Sequence, residues 1–491
     1  MKYFGSFRNE KFPSVKRLTY RISSFSGIDA RPDIVPKNLS IGSYGYNIHL
    51  GRGKLTDSYG VCIAAGKNGE SLPTLQSEGE KILRVHRHFD KTDGDKLLVH
   101  SDVGRFYSCS LSEPEESFKY YSAIEDASED LSFINYYSDG TDYTLIFSPI
   151  GFYRFSSAGL EDMGESIGVI GACMHFDRIF GVLPDENAVA FSKLLDPFTF
   201  DPASGGGKIY LMGGGGRLLK AVSLGSAVYI FREYSIYKLS ALADPQDFSL
   251  KEVLTLSYPV RPRTIASDGA DIYFVAGEEI YRMNASSVDK PFENVTPLIE
   301  SAEKAVGRYM MDKYFLSCKM RKFGTETVGL EGTAGLITHN NALFAFGKDE
   351  LDIVRGVGID DFSTIPGADS EGVLLALSGN YGIFAGSLTD DGKFYGVPSE
   401  KFWSSHSLKP GDAEAVKKIR SVHIASTHPL TVGAESETGK DEFNVYGGYA
   451  VGYAPLKTPP GGEIRLYLKT SDKLCVSEAV VVFDEFAKYV P

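Results

Sequence analysis

Cysteine is scarce in this sequence, and nothing in its spacing suggests pairing. The five cysteines stand far apart, at positions 62, 109, 173, 318 and 475, without a Cys-x-x-Cys pair. An odd number at such wide spacing argues against a disulfide framework and against a zinc site. We therefore expect small buried side chains in a reducing compartment, and neither a metal nor another cofactor.

Long apolar runs and helical periodicity are scarce as well. No segment approaches the ~18 consecutive apolar residues of a membrane-spanning helix. The first ten residues contain no apolar core of a secretory signal peptide. We expect no membrane insertion. Only residues 297–311 are predicted to form a helix of any length, with Thr296 as its N-cap and Pro297 in the first helical position.

Motifs that carry catalysis are missing or stand in the wrong context. The glycine-rich segments 205–207 and 213–216 lack the Lys-Ser/Thr ending of a phosphate-binding loop. The segment from Gly164 to Gly168 matches a nucleophile-elbow pattern, but a strand-like run follows it instead of a helix. Carboxylate pairs such as residues 360–361 are adjacent, so on a strand they face opposite ways. We expect no enzyme, and no catalytic, cofactor-binding or metal-binding residue.

A recurring β-hairpin is the main feature that is present. At 491 residues the chain is too long for one ordinary core, so several domains or a repeat fold are expected. β-Branched and aromatic runs separated by short turns recur at residues 95–107, 142–153, 227–237 and 271–281, with weaker copies elsewhere. The mean interval is about 40 residues, the size of a four-stranded propeller blade. The prediction is an all-β fold, a β-propeller of about six to eight blades, with a two-sandwich protein as the alternative.

The two ends of the chain fall outside this repeat. Residues 31–37 hold two prolines, which favour extended backbone, so residues 1–60 are predicted to form an extended basic N-terminal arm. Residues 61–400 would then form the propeller. Four strand-like segments between 417 and 483 predict a small β-sandwich-like module over residues 401–491.

Charge is distributed unevenly along the chain. The net charge is −13, yet residues 1–60 carry ten Lys or Arg against four acids, while residues 111–140 carry eight acids and one Lys. The overall negative charge disfavours general binding to nucleic acid. The contrast predicts self-assembly through complementary charge. The candidate assembly residues are Lys11, Lys16, Arg17, Arg21, Arg31, Glu115, Glu116, Glu125 and Asp126. The alternative is a solvated basic edge that folds back on its own domain.

Several segments resemble the propeller-type virion proteins of tailed bacteriophages, the group of tail nozzle, hub and head–tail stabilisation subunits. Residues 25–31 (FSGIDAR), 45–47 (GYN) and 53–61 (GKLTDSYGV) are similar to the opening of those proteins. Residues 228–239 (VYIFREYSIYKL) resemble their blade hairpin. Residues 418–420 (KIR) and 463–468 (EIRLYL) resemble their final sheet.

The resemblance implies a structural subunit of the virion, made in the host cytoplasm. Such a subunit would assemble into a homo-oligomeric ring, five- to six-fold or more, around the DNA channel of the tail or connector. Its partners would be copies of itself, other tail or portal-adaptor proteins, and passing DNA bound without specificity. The acidic body would give a channel wall that repels DNA.

Two alternatives stay open. The first is a propeller that binds or cleaves glycans, with an axial pocket lined by carboxylates and tyrosines. The second is an intracellular propeller that binds other proteins.

Overall fold

The chain forms a seven-bladed β-propeller joined to a two-sheet β-sandwich. The computed structural model describes residues 15–32, 40–65, 70–73, 80–114, 117–121, 124, 130–164, 167–241, 244–322, 337–367, 371–379, 382–408, 411, 415–448, 451–458 and 460–486. Over these residues its regular structure is β-strands, paired in parallel only where Gly27–Ile28 meets Ile41–Tyr46 and where Lys393–Phe394 meets Gly60–Ile63, and otherwise antiparallel. Four short 3₁₀ turns are added, namely Pro202–Ser204, Pro245–Asp247, Pro262–Thr264 and Thr296–Leu298. No helix in this part of the chain is long and apolar enough to cross a membrane.

Five blades are separate four-stranded sheets, whose strands we give from the axis outward. Blade 1 consists of Ile82–His88, Lys96–Ser101, Phe106–Ser110 and Lys119–Tyr121. Blade 2 consists of Ser132–Ser138, Thr141–Phe147, Phe152–Ser156 and Gly159–Asp162. Blade 3 consists of Ile170–His175, Arg178–Leu183, Ala188–Phe191 and Gly207–Tyr210. Blade 4 consists of Leu218–Leu224, Ala227–Arg232, Ser235–Ser240 and Ser249–Thr255. Blade 5 consists of Ala266–Ser267, Ile272–Ala276, Glu279–Met283 and Val288–Asp289.

Of the last two blades, blade 6 has four consecutive strands, whereas blade 7 takes one strand from a distant part of the chain. Blade 6 consists of Ile299–Met310, Lys313–Met320, Ile337–Phe346 and Glu350–Val357. Blade 7 consists of Asp361–Pro366, Glu371–Gly379, Gly382–Thr389 and Gly60–Ile63, with Lys393–Phe394 and Val397–Pro398 added at its edge. The inner strand of blade 7 lies against that of blade 1. A strand from before the propeller thus completes the last blade and closes the ring.

The sandwich is built from both ends of the chain. One sheet continues blade 6, adding Ile48–Gly51, Lys54–Asp57, Cys475–Phe486, Val416–Ser426 and Gly452–Ala454, with Val15–Ile22 also paired to Cys475–Phe486. The other sheet consists of Gly27–Ile28, Ile41–Tyr46, Lys401–Ser405, Ile464–Thr470, Leu430–Ser436 and Gly439–Val445. Alternate side chains of the two sheets, such as Val481 and Leu466, form a common core with blade 6. The buried Trp403 packs edge-on against Phe25 in that core.

Four hairpins read from the sequence occupy the same place in their blades. Residues 95–107, 142–153, 227–237 and 271–281 each span the second and third strands of blades 1, 2, 4 and 5. The turn from first to second strand often has a left-handed backbone, as at Asp139 and Gly140, with φ of 51° and 79°. Such turns match the twist of a hairpin. The predicted propeller of six to eight blades is confirmed, and the count is seven.

Two sequence predictions need correction. The predicted helix over residues 297–311 is a 3₁₀ turn followed by the strand Ile299–Met310, because pairing with Lys313–Met320 decides the conformation over local propensity. The extended arm over residues 1–60 is not seen: its described part pairs into the sandwich and into blade 7. Alternating apolar residues in Val15–Ile22 and Ile41–Tyr46 provide the buried face that such pairing needs.

Candidate functional site

The inner strands of all seven blades converge on one cavity along the propeller axis. The cavity has a volume of about 150 Å³. Each inner strand, or the loop leading into it, supplies part of its wall, from Arg84 in blade 1 to Asp361 in blade 7. Asp130 and Arg263, from loops that join successive blades, also line it, so the cavity lies at the end of the axis where the blades are connected.

The wall of this axial cavity carries more positive than negative charge. Four cationic side chains line it, against the two carboxylates of Asp130 and Asp361. The four are Arg84, Lys220, Arg263 and Arg308. Asp130 also pairs with Arg217, 2.9 Å away. We call the four cations and Asp361 the axial cluster.

Asp361 organises the arginines of the axial cluster. Arg84 Nε donates to Asp361 Oδ2 at 3.0 Å, and the Val85 amide donates to the same oxygen at 3.0 Å. Arg263 Nη2 lies 4.0 Å from Asp361 Oδ1. Burial alone would raise the pKa of Asp361, but the charges of Arg84, Arg308 and Arg263 together with the Val85 N–H outweigh it and lower the pKa. The buried carboxylate therefore stays ionised.

Lys220 and Arg308 approach the cavity from blades 4 and 6. Lys220 Nζ donates to the Ile265 carbonyl oxygen at 2.8 Å, and Arg308 Nη2 donates to the Phe362 carbonyl oxygen at 3.1 Å. Burial, followed by repulsion from Arg308 and Arg84, lowers the pKa of Lys220 to about 7. Burial is also the main cause of the lowered pKa of Arg308. The cluster thus holds its positive charges at a cost that a bound anion would reduce.

Gly171 fixes how closely blades 3 and 4 meet beside the cavity. Its φ is +52°, at a register shift of the inner strand of blade 3. A Cβ there would lie 2.5 Å from the Leu219 carbonyl oxygen and 2.5 Å from the Lys220 Cα. Only glycine combines this backbone conformation with this approach, so Gly171 sets the position of the Lys220 backbone.

The candidate assembly residues that the structure describes lie on the sandwich. Lys16, Arg17 and Arg21 are exposed on the strand Val15–Ile22. Arg17 pairs with Asp484 at 3.4 Å, and Arg21 with Glu478 at 2.6 Å. Arg31 pairs with Asp29 at 2.7 Å and with Glu293 at 2.8 Å. These three arginines have carboxylate partners within the chain, the arrangement that the alternative reading of the basic edge implies.

The remaining assembly candidates, Lys11, Glu115, Glu116, Glu125 and Asp126, lie outside the described residues. Their pairing with the basic strand therefore stays a prediction. No cluster of His, Cys, Asp or Glu in the described ranges could hold a metal ion.

The sequence did not single out the cations of the axial cluster. Of its members, only Asp361 had been noted, as one of an adjacent pair of carboxylates. The usable signal was the repeat itself: Arg84 and Lys220 each lie on the strand that precedes a recognised hairpin, which is the inner strand of a four-stranded blade. The described lining of the axial cavity contains no tyrosine of the kind expected for a glycan pocket.

Two surfaces expose large apolar side chains. On the sandwich, Phe443, Tyr446, Val451 and Tyr453 are 39%, 88%, 61% and 53% exposed, and we call them the sandwich patch. On the propeller, exposed apolar residues lie at both faces. Phe176, Leu195 and Met311 stand in connections between first and second or third and fourth strands, and a second group stands in turns between second and third strands or between blades, at the opposite face. This propeller face carries Val103, Ile150, Met212, Tyr234 and Tyr258. Apolar surface of this kind is typical of protein–protein contacts.

The fold defines the chain as a seven-bladed propeller with a sandwich. No protein-family model matches it, and no curated protein matches it. Among solved structures it is similar to the Neurospora crassa Pan2 WD40 domain, at 10% identity over 62% of this chain and 89% of that one, with a TM-score of 0.38. It is also similar to the computationally designed Ika8 protein, at 8% identity over 64% of this chain and 98% of that one, with a TM-score of 0.37.

Proposed function

We propose that the protein is a non-catalytic structural subunit that assembles into a homo-oligomeric ring, like the propeller-type virion proteins of tailed phages that its sequence resembles. Within the virion its place would be the tail or the head–tail junction. The single observation that carries the proposal is the presence of two unlike edges on opposite sides of one sheet of the sandwich.

The two edges flank the same central strands. Val15–Ile22 pairs with one side of Cys475–Phe486, whereas Val416–Ser426 and then Gly452–Ala454 follow on its other side. The first edge exposes Lys16, Arg17 and Arg21. The second carries Val451 and Tyr453 of the sandwich patch, next to Phe443 of the other sheet. Contact between two different surfaces of identical subunits is heterologous, and it produces a ring when the rotation between subunits closes.

The sandwich is also coupled rigidly to the propeller. Glu350–Val357 of blade 6 pairs with Ile48–Gly51 of the sandwich, so one sheet passes from one unit into the other. Asp352 of blade 6 strengthens this junction, because its Oδ1 lies 2.9 Å from Nδ1 of His49 in the sandwich and its Oδ2 lies 2.9 Å from Nζ of Lys313 in blade 6. A rigid orientation between the two units suits a subunit whose neighbours must repeat at a fixed angle.

Variants of the two edges test the ring. The Tyr446→Ser/Tyr453→Ser and Arg17→Ser/Arg21→Ser double variants should each reduce the oligomer to monomers in native mass spectrometry at micromolar concentration. Mixing the two should give heterodimers only, because each pair keeps one intact contact. A matched Tyr258→Ser variant, on the propeller face, should leave the oligomer unchanged. A monodisperse wild-type monomer, or full rings from the mixed variants, would overturn the proposal.

A second candidate, a propeller that binds other proteins, is favoured by the propeller face. Val103, Ile150, Met212, Tyr234 and Tyr258 form an arc over blades 1 to 5 on the side where the axial cavity lies. This candidate requires that Met212→Ser/Tyr258→Ser abolish binding of a purified partner while the sandwich-edge variants leave it intact.

A further inference from the structure

The wall of the axial cavity carries more positive than negative charges. Four cations face two carboxylates in a cavity of about 150 Å³, and one of those carboxylates, Asp130, is shared with Arg217. Like charges this close repel one another strongly where water is limited. A ligand with two negative charges would bring the wall close to neutrality.

The donors in the cavity come from several directions. Lys220 has three N–H groups and Arg308 has five, and each uses one for the main-chain carbonyl described above. They approach from blades 4 and 6, while Arg84 and Arg263 approach from blade 1 and from the loop before blade 5. Guanidinium and ammonium groups arranged around a centre suit the oxygens of a tetrahedral anion, whose acceptors also point in several directions.

The volume of the cavity fits an ion of that size. A water molecule takes about 30 Å³ in the liquid, so the cavity has room for one tetrahedral oxyanion with a few waters. We propose that the axial cavity binds the dianionic tetrahedral oxyanion of phosphate, as the free ion or as the terminal group of a phosphomonoester.

Sulfate is the first probe, because it stays a dianion over the whole useful pH range. Calorimetric titration of the full chain with sodium sulfate at pH 6.5 and constant ionic strength should show saturable binding at one site. Lys220→Met and Arg308→Met should each weaken it at least tenfold. The matched control Lys251→Met removes an exposed lysine from the outer strand of blade 4 and should leave the affinity unchanged. Absence of saturable binding to the wild type, or equal affinity in all four proteins, would overturn the proposal.

The pH dependence of sulfate binding gives a second, independent measurement on the wild type. Lys220, with its pKa of about 7, is faced by Arg308, Arg84, Asp361 and Cys173. Arg263 and Asp130 complete the charged wall. A bound dianion favours the charged form of the Lys220 amine. Sulfate binding should therefore be accompanied by the uptake of nearly one proton per site by Lys220 at pH 8, and of almost none at pH 6. Its affinity should fall up to about tenfold per pH unit above 7.

Lys220→Arg separates this effect from general screening. The variant should still bind sulfate, without proton uptake and with an affinity independent of pH between 6 and 8. Proton uptake that persists in Lys220→Arg would refute the assignment to Lys220. Titrations with inorganic phosphate and with O-phosphoserine then distinguish the two sources: equal affinities indicate the free ion, and tighter binding of phosphoserine indicates a phosphomonoester.

Discussion

Asp361→Asn should lower the free energy of unfolding by about 3–5 kcal/mol, the usual cost of removing one member of a buried ion pair. Asp361 is 3% exposed and is the carboxylate that Arg84 and Val85 of blade 1 share with the inner strand of blade 7. Asn retains the shape but not the charge, so Arg84, Arg263 and Arg308 would repel one another without compensation. Urea unfolding measures the change.

Trp403 offers a useful second reporter in that experiment. It is the sole tryptophan and lies in the sandwich, whereas Asp361 lies in blade 7 of the propeller. Because one sheet joins the sandwich to blade 6, the Trp403 fluorescence transition and the circular dichroism transition should shift together in Asp361→Asn. A shift in circular dichroism alone would contradict the coupling of the two units.

Asp289→Asn is the matched control for the loss of a carboxylate. Asp289 lies 2.6 Å from Arg282, and the two side chains are 46% and 39% exposed, so solvent screens the pair and the cost should stay below about 1 kcal/mol. Equal costs in the two variants would mean that Asp361 does not organise the arginines.

The difference in stability between the wild type and Asp361→Asn should also depend on pH. The pKa of Asp361 is lowered in the folded chain, so its stabilisation is complete above the unfolded value of about 3.9 and is lost as the pH falls through the folded value. The difference in stability between the wild type and Asp361→Asn should therefore be constant near neutral pH and shrink in acid. A difference that stays constant down to pH 2.5 would contradict the assigned direction.

The hairpins were predictable because their signal is local. Residues 227–237 alternate or cluster β-branched and aromatic side chains around the two-residue turn at Glu233 and Tyr234, so a dozen residues determine the motif. The inner strands are less regular: Ala266–Ser267 has two residues, and Ile299–Met310 contains alanines, glutamates and a lysine that favour helix in isolation. Their conformation is decided by strands that the local sequence does not reveal.

The axial cluster was hidden for the same reason. Arg84, Lys220, Arg308 and Asp361 are separated by up to 277 residues in the chain and meet only because seven inner strands share one axis. The pairing of Val15–Ile22 with Cys475–Phe486 likewise joins segments near the two ends of the chain. The local sequence does not reveal this pairing, and the two prolines of residues 31–37 suggested an extended arm instead. Pairings over such distances depend on the closed ring, which no short pattern encodes.

Val61→Asp should destabilise the chain by about 4 kcal/mol, because it places a charge in an apolar site without a partner. Val61 is 1% exposed and packs with Phe315, Phe362 and Phe394. Its strand, Gly60–Ile63, pairs with Gly382–Thr389, and the Val61 carbonyl accepts the Tyr395 N–H at 2.7 Å. Urea unfolding gives the loss of stability, and hydrogen exchange should show blade 7 losing protection before the other blades.

Ile63→Asp is the control that separates ring closure from the mere introduction of a charge. Ile63 lies on the same strand but is 41% exposed, so its carboxylate can remain hydrated and the cost should stay within about 0.5 kcal/mol. If the two variants unfold at the same urea concentration, the strand from before the propeller does not hold the ring closed. If only Val61→Asp loses stability and exposes blade 7, then the strand formed by residues 60–63 is what closes the ring of seven blades. The geometry of the axial cavity then also depends on this strand, because Asp361 belongs to the blade that the strand completes.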